Sequence, residues 1–264
     1  MIFFVTSSNC HQVIRKYAGN LNLTESIKFL IYDYVVEPRR THDLDGAIFF
    51  TSGDELDKYL LDKFEQSDKL ISFDNFHIFK GGALEKIKDR SANFHPSPLP
   101  SYRGLNPVSW GLFNEEVHWG ISWHRIARTL DTGQVLFQKM FVIPKGVYQH
   151  QLLEYSILLG LKSVNEAIQA IDGKNCNFQL GGNKSLKNKN NTYSASDVPL
   201  LIINTYEDVE RFSRFVPFTP VVGWRWRILL LNKYVSLVST KATFADIQLK
   251  KTVYLNKCLV YYAD

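Results

Sequence analysis

Along the first two thirds of the chain, short apolar runs alternate with stretches in which apolar residues recur every three or four positions. Met1 to Val5, Lys28 to Val36, Ala47 to Phe50 and Leu70 to Phe73 read as buried strands. Between them, Val13, Ile14, Tyr17 and Ala18 fall at helical spacing, with Gly19 as a stop. Ser52-Gly53-Asp54-Glu55 has the capping-box pattern and opens a helix whose Leu56, Tyr59, Leu60 and Phe64 form one apolar face. Asn106 stands where it can cap a further helix with Pro107 in its first position, and Gln134 to Val142 returns to strand. Between Val147 and Ile171, Leu153, Ile157, Leu161, Val164, Ile168 and Ile171 repeat at intervals of four or three, which predicts one long helix. This order predicts an α/β fold, a Rossmann-like and mostly parallel sheet with helices on both faces.

The pattern then changes. Asp172 to Asp197 is polar and without hydrophobic period, which reads as a linker or long loop, and short β-like runs follow from Leu200 to Tyr262. The expected division is a catalytic domain over 1–177, a linker over 178–198 and a small β-rich C-terminal domain over 199–264. A chain of 264 residues that is 45% hydrophobic can bury one sizeable core and a small appended module. Charge adds one asymmetry: residues 178–264 hold 12 Lys and Arg against 6 Asp and Glu, so the formal +5 comes from the last third. Three widely spaced cysteines, Cys10, Cys176 and Cys258, fit a reducing compartment and suggest neither a disulfide framework nor a zinc site. The opening apolar run is too short for a signal segment and no run approaches a membrane span, so a cytoplasmic protein is expected.

Candidate chemistry concentrates between Ser91 and Gly133. Asn93 and His95 stand two apart at the end of an expected strand, so period 2 puts both on one face. The prolines at 96, 98 and 100 then turn the chain out of the sheet. A fixed amide and an imidazole at a strand's carboxyl edge can stabilise an oxyanion and move a proton. Taken alone, the pair also fits a buried histidine satisfied beside a turn. Leu130-Asp131-Thr132-Gly133 likewise fits a turn whose carboxylate bonds local amides.

Four pieces in order resemble the catalytic core of the 10-formyltetrahydrofolate-dependent formyltransferases. They are Asn93-Phe94-His95-Pro96-Ser97, Leu99-Pro100-Ser101-Tyr102-Arg103-Gly104, Gly120-Ile121-Ser122-Trp123-His124 and Leu130-Asp131-Thr132-Gly133. The resemblance implies that Asn93, His95 and Asp131 form a catalytic triad, with 10-formyltetrahydrofolate as formyl donor and no metal. It places the aromatic stretch after Leu70 to Phe73 against the pterin, so Phe73, Phe76, His77, Ile78 and Phe79, with Asp131, become candidate cofactor residues. Phe76 and Phe79 would equally serve to cover the sheet edge. Ser97, Tyr102, Arg103 and Trp123 are the candidate substrate residues. His118 and His124 are given structural or substrate-side parts.

The accepting amine is open to more than one reading. A nucleotide-linked amino sugar leads. The connection over Glu37 to Asp45 is short and mixed in charge where methionyl-tRNA formyltransferases carry a basic insertion, so tRNA ranks lower. Aminoacyl intermediates form a further alternative. A folate- or nucleotide-binding module without catalysis is the third, because Thr6-Ser7-Ser8-Asn9 lacks the glycine many relatives carry there. No membrane partner is expected, and a homodimer is left open.

Overall fold

The computed structural model describes residues 1–19, 26–33, 46–173, the strand segments 192–193, 200–202, 226–230, 233–239, 251–255 and 258–263, and Arg214. The expected end of the second strand beyond residue 33, the connection over 37–45 and nearly all of the expected linker lie outside them.

The elements in chain order are β1 (Ile2–Thr6), α1 (Ser8–Gly19), β2 (Ile27–Tyr32), β3 (Ile48–Phe50), α2 (Gly53–Lys63), β4 (Lys69–Phe73), α3 (Gly81–Ile87) and β5 (Ser91–His95). Then come β6 (Arg103–Gly104), α4 (Pro107–Phe113), β7 (His118–His124), β8 (Val135–Val142), α5 (Gln149–Lys162) and α6 (Val164–Ile171). A seven-stranded sheet runs β3-β2-β1-β4-β5-β7-β8. Its pairings from β3 through β5 are parallel, and β7 returns antiparallel to β5. The sheet is α/β and mostly parallel. The order reverses at β1, whose neighbours are β2 on one side and β4 on the other, and open α/β sheets bind ligands beyond the carboxyl ends of strands near such a point.

The chain clusters into two units. The first comprises Met1–Pro100, Gly120–Met140 and Ile157–Gly182, and the second Ser101–Trp119, Phe141–Ser156 and Asn183–Asp264. In the first unit the alternation along β1 sends Phe3 and Val5 to one face, where they join Leu56 and Leu60 of α2, Phe64 just after it, and Leu84 and Ile87 of α3 in one buried cluster. Phe4 points the other way and meets Phe29, whose ring lies edge-on to His11 of α1. The capping box at Ser52 is realised in part. Ser52 Oγ accepts from the Glu55 amide at 3.2 Å, while the Glu55 carboxylate reaches past Ser52 to the amide and hydroxyl of Thr51.

In the second unit Tyr102 is fully buried, packs on Trp119 and donates its hydroxyl hydrogen to Glu116 Oε1 at 2.5 Å. Gly111 lies so close to the Trp119 ring that a Cβ there would sit 2.2 Å from it. Asn106 precedes α4 in the left-handed conformation (φ 51°) and makes no side-chain cap, unlike the expected capping role, because an N-cap needs extended backbone to turn its side chain onto the first amides. After the short β9 (Thr192–Tyr193), the C-terminal strands β10 (Leu200–Ile202), β11 (Trp226–Leu230), β12 (Lys233–Ser239), β13 (Lys251–Leu255) and β14 (Cys258–Ala263) form a sheet in the order β10-β11-β12-β14-β13.

One expectation fails in an instructive way. The repeat from Val147 to Ile171 forms two helices, not one, and the break falls at Ser163. There the serine hydroxyl donates back to the Leu159 carbonyl at 2.9 Å while accepting the indole N–H of Trp123 at 2.9 Å. Apolar periodicity carries across the break because the repeat positions on either side of it, Leu161 and Val164, are both buried. The polar demand of a tryptophan on β7 interrupts the helical ladder at that turn. Ser163→Ala leaves the buried indole N–H without its partner, so urea unfolding is expected to show a loss of about 1–3 kcal/mol.

Candidate active site

The site is built on the face that β5 and β7 share. In their antiparallel register Asn93 lies opposite His124, and His95 opposite Ser122. Directly opposed residues point to the same side of a sheet, so these four polar side chains form one patch. The intervening residues Phe94 and Trp123 face the other way, where Phe94 stacks on Phe73 with ring centroids 4.4 Å apart and Trp123 lies 5.4 Å from Phe94. Gly160 closes over that aromatic layer, since a Cβ there would come within 2.3 Å of the Phe94 ring.

Asn93 Nδ2 lies 3.1 Å from His124 Nε2, and His124 Nδ1 lies 2.8 Å from the Arg125 carbonyl oxygen. Asp131 stands between two imidazoles: one carboxylate oxygen is 3.6 Å from His95 Nδ1 and the other 3.5 Å from His124 Nε2. His95, His124 and Asp131 are all buried, whereas Asn93 is half-buried. The structure therefore gathers Asn93, His95 and Asp131 from positions 38 residues apart. It adds His124, which the sequence reading had left in a structural or substrate-side part. The signal for it was the same period of two, carried from Gly120 through Ser122 to His124, together with an antiparallel pairing that only the fold supplies.

Backbone contacts hold Asp131 in place. It adopts a left-handed conformation (φ 53°), and the loop after it returns to β7 through Gln134, whose carbonyl accepts the Arg125 amide at 2.8 Å. Gly133 then packs directly on the Arg125 backbone, where a Cβ would sit 1.8 Å from the carbonyl oxygen. Leu-Asp-Thr-Gly is thus a turn, and its glycine is required by the same carbonyl that receives His124 Nδ1. The Arg125 guanidinium spans to the carbonyls of Asp89 and Ile171.

The loop after β5 is fixed from below. Ser122 Oγ donates to the Ser97 carbonyl at 2.7 Å and accepts the Leu99 amide at 3.0 Å and the Gln138 amide group at 3.0 Å. Ser97 itself is fully buried, so its backbone anchors the loop. Trp123 is also fully buried and committed to Ser163, a packing part rather than the substrate contact expected of it, because its place on β7 turns it to the aromatic underside. Tyr102 is buried within the second unit, and Arg103 there has its Nε buried without a hydrogen-bond partner.

The aromatic stretch divides in two. Ser72 of β4 is in register with Asn93, so the loop that follows begins beside the site. Phe73 and Phe79 are buried core residues, and His77 is held by Asp57 at 2.8 Å. Phe76 and Ile78 alternate with them and are 60% and 54% exposed. Asn75 fixes the turn by accepting the His77 amide at 3.0 Å and donating to Ser72 Oγ at 3.2 Å. The result is an exposed apolar rim of Phe76 and Ile78 on a hydrogen-bonded loop. Beneath it, the left-handed Asp74 (φ 52°) accepts from the Ser7 hydroxyl, and burial pushes its carboxyl above the ordinary aspartate range. Burial first, then the adjacent Asp74, pushes the Cys10 thiol up to about 12, so it is protonated at neutral pH. Among the described residues no group of three or more His, Cys, Asp or Glu could hold a metal ion. No described helix is long and apolar enough to cross a membrane.

This architecture is an α/β fold built on a seven-stranded, mostly parallel sheet. Residues 54–154 match the family model described as formyl transferase. Among characterised proteins, a GDP-perosamine N-formyltransferase of Brucella melitensis biotype 1 is 32% identical over 162 residues, 59% of this chain and 60% of that protein. A methionyl-tRNA formyltransferase of Finegoldia magna is 28% identical over 41% of this chain and 35% of its own length. The match therefore spans 60% of the first relative and 35% of the second, less than two thirds of either. Among solved structures, a likely sugar N-formyltransferase from Mycobacterium tuberculosis superposes with a TM-score of 0.60 at 15% identity, covering 92% of this chain and 99% of that one. An N-formyltransferase from Helicobacter canadensis, in complex with folinic acid and dTDP-3-aminofucose, superposes with a TM-score of 0.56 at 16% identity, covering 99% and 97%. At those identities the two structures establish the fold.

Two substitutions test the site's support. Gly133→Ala drives a methyl into the Arg125 carbonyl and is expected to cost about 1–3 kcal/mol in urea unfolding. Because folding raises the Asp74 pKa, the native state is favoured below the unfolded aspartate pKa, and that advantage is lost as pH rises through the folded one. Asp74→Asn keeps an acceptor for Ser7 and suits the left-handed backbone. Its Tm at pH 7 is expected above the parent's, with the gap closing at acid pH.

Proposed function

We propose that this protein is an N-formyltransferase that moves the formyl group of 10-formyltetrahydrofolate to the primary amine of a nucleotide-linked amino sugar. The observation that carries it is the convergence of Asn93, His95 and Asp131 on one buried patch at a strand's carboxyl end, with Asp131 3.6 Å from His95. The relatives support the acceptor class, since one is a GDP-perosamine N-formyltransferase and one solved neighbour is in complex with folinic acid and dTDP-3-aminofucose. The apolar rim of Phe76 and Ile78, held by Asn75 beside β5, fits the flat heterocycle of a folate.

The donor, when bound, supplies an electrophilic formyl carbon. The protein's residues do the remaining work. Asn93 directs an amide N–H at the formyl oxygen, where negative charge collects as the new nitrogen–carbon bond forms. His95 takes the proton released by the attacking amine and delivers it to the nitrogen that departs as the old bond breaks. Asp131 orients the His95 ring and stabilises its charged form during that relay. Burial of His95 and Asp131 keeps water from competing for the same proton. The catalytic region is proposed to span 1–177, with 199–264 as the appended β-rich domain.

Incubation with 10-formyltetrahydrofolate and a panel of GDP- and dTDP-linked amino sugars is expected to release tetrahydrofolate with at least one of them. His95→Ala is expected to lower kcat by about 10³-fold, within the range for a general acid–base group, with donor affinity by calorimetry essentially unchanged. Turnover only with charged initiator tRNA would replace the amino sugar by that acceptor, and full activity in His95→Ala would remove the mechanism.

A further inference from the structure

We propose that His124 is a positioning residue: neutral and protonated on Nδ1, it accepts a hydrogen bond from Asn93 and so fixes which way that amide faces the reacting carbonyl. Its effect on rate rests on the N-formyl transfer reading, whereas its protonation state does not. A backbone carbonyl can only accept, so the 2.8 Å contact with the Arg125 oxygen places a hydrogen on His124 Nδ1. An amide nitrogen can only donate, so the 3.1 Å contact from Asn93 Nδ2 requires a lone pair on Nε2. Only the neutral Nδ1–H tautomer meets both conditions. With one N–H of Asn93 committed to His124, the second N–H is fixed in direction, about 120° from the first in a planar amide, and becomes the donor for the formyl oxygen.

The alternative amide orientation would present the Asn93 oxygen to Nε2 and would demand a doubly protonated ring. In that state Nε2 would donate instead, and the Asp131 oxygen 3.5 Å away would compete for it, drawing the carboxylate from His95. Among the described residues, the groups facing His124 are few. Asp131 approaches from the loop after β7, the His95 ring lies 6.4 Å off on β5, and Asn93 stands between as the neutral partner. The Arg125 guanidinium is turned away to Asp89 and Ile171. His124 is 3% exposed, so solvent does not stand in for a lost partner.

Two isosteric variants separate positioning from simple support. Asparagine reproduces the Nδ1 donor to Arg125 but cannot reach Asn93; glutamine places an acceptor oxygen where Nε2 stands and surrenders the Arg125 contact. His124→Gln is expected to keep kcat within about 10-fold of the parent. His124→Asn is expected to lose about 10²-fold in kcat with the amine KM moved less than about 3-fold, the pattern for loss of a transition-state donor. A purely structural role predicts the reverse order, and that order would overturn the proposal. Imidazole ¹⁵N spectra of the full-length wild type give a readout independent of activity, with Nδ1 protonated and Nε2 carrying the lone pair at neutral pH. An Nε2–H tautomer would sink the idea even in an active enzyme. The Nδ1–H tautomer in a protein inactive on every amine would instead count against the proposed function alone.

Discussion

The antiparallel pairing of β7 against β5 is the constraint on which the site depends. Asn93 meets His124 and His95 meets Ser122 only in this register. A slip by one residue would exchange the polar patch for Phe94 and Trp123. That slip is opposed by the aromatic underside, where Phe73, Phe94 and Trp123 pack together and Trp123 is tied to Ser163. Apolar burial on one face of the sheet thus sets the geometry of the candidate catalytic groups on the other. Each fully buried aromatic contributes on the order of 1.5–3 kcal/mol to holding the register, more than the about 0.5–1.5 kcal/mol net of a single hydrogen bond in the polar patch.

The second element of precision is a close backbone approach. Gly133 lies against the Arg125 carbonyl, and that carbonyl also receives His124 Nδ1. One peptide group therefore couples the loop bearing Asp131 to the orientation of His124. Burial lowers the Arg125 guanidinium pKa from its usual value, but it stays bound to two backbone carbonyls, which ties the end of β7 to the turns at Asp89 and Ile171. The arrangement resists drift because it rests on main-chain contacts, which have fewer ways to rearrange than long side chains.

A buried network of two imidazoles and one carboxylate would be costly if any member lacked a partner. Here His95 Nδ1 has the Asp131 carboxylate at 3.6 Å, His124 Nε2 has the Asn93 amide at 3.1 Å, and the one group of the four left half-exposed is Asn93. In the proposed reaction, the exposed side of Asn93 is where the formyl group of the donor meets the protein.

The alternation of apolar runs with helical spacing determined the α/β class, the succession of strands through β5 and the C-terminal β-runs, because burial of one face imposes a period that local sequence must obey. The spacing of Asn93 and His95, with the turn chemistry of Leu130 to Gly133, marked both ends of the site. Local pattern could not see across space. It could not tell that Phe76 and Ile78 would be exposed while Phe73 and Phe79 went to the core, since all four are apolar and only the left-handed turn at Asp74 and the Asn75 clamp decide the sides. Nor could it foresee the break at Ser163, which answers an indole 40 residues away, or the place of His124, which needs a strand partner 31 residues upstream. Periodicity reports which side of an element is buried. Which polar group lies opposite which is settled by strand register and close backbone contact, and those exist only once the chain has folded.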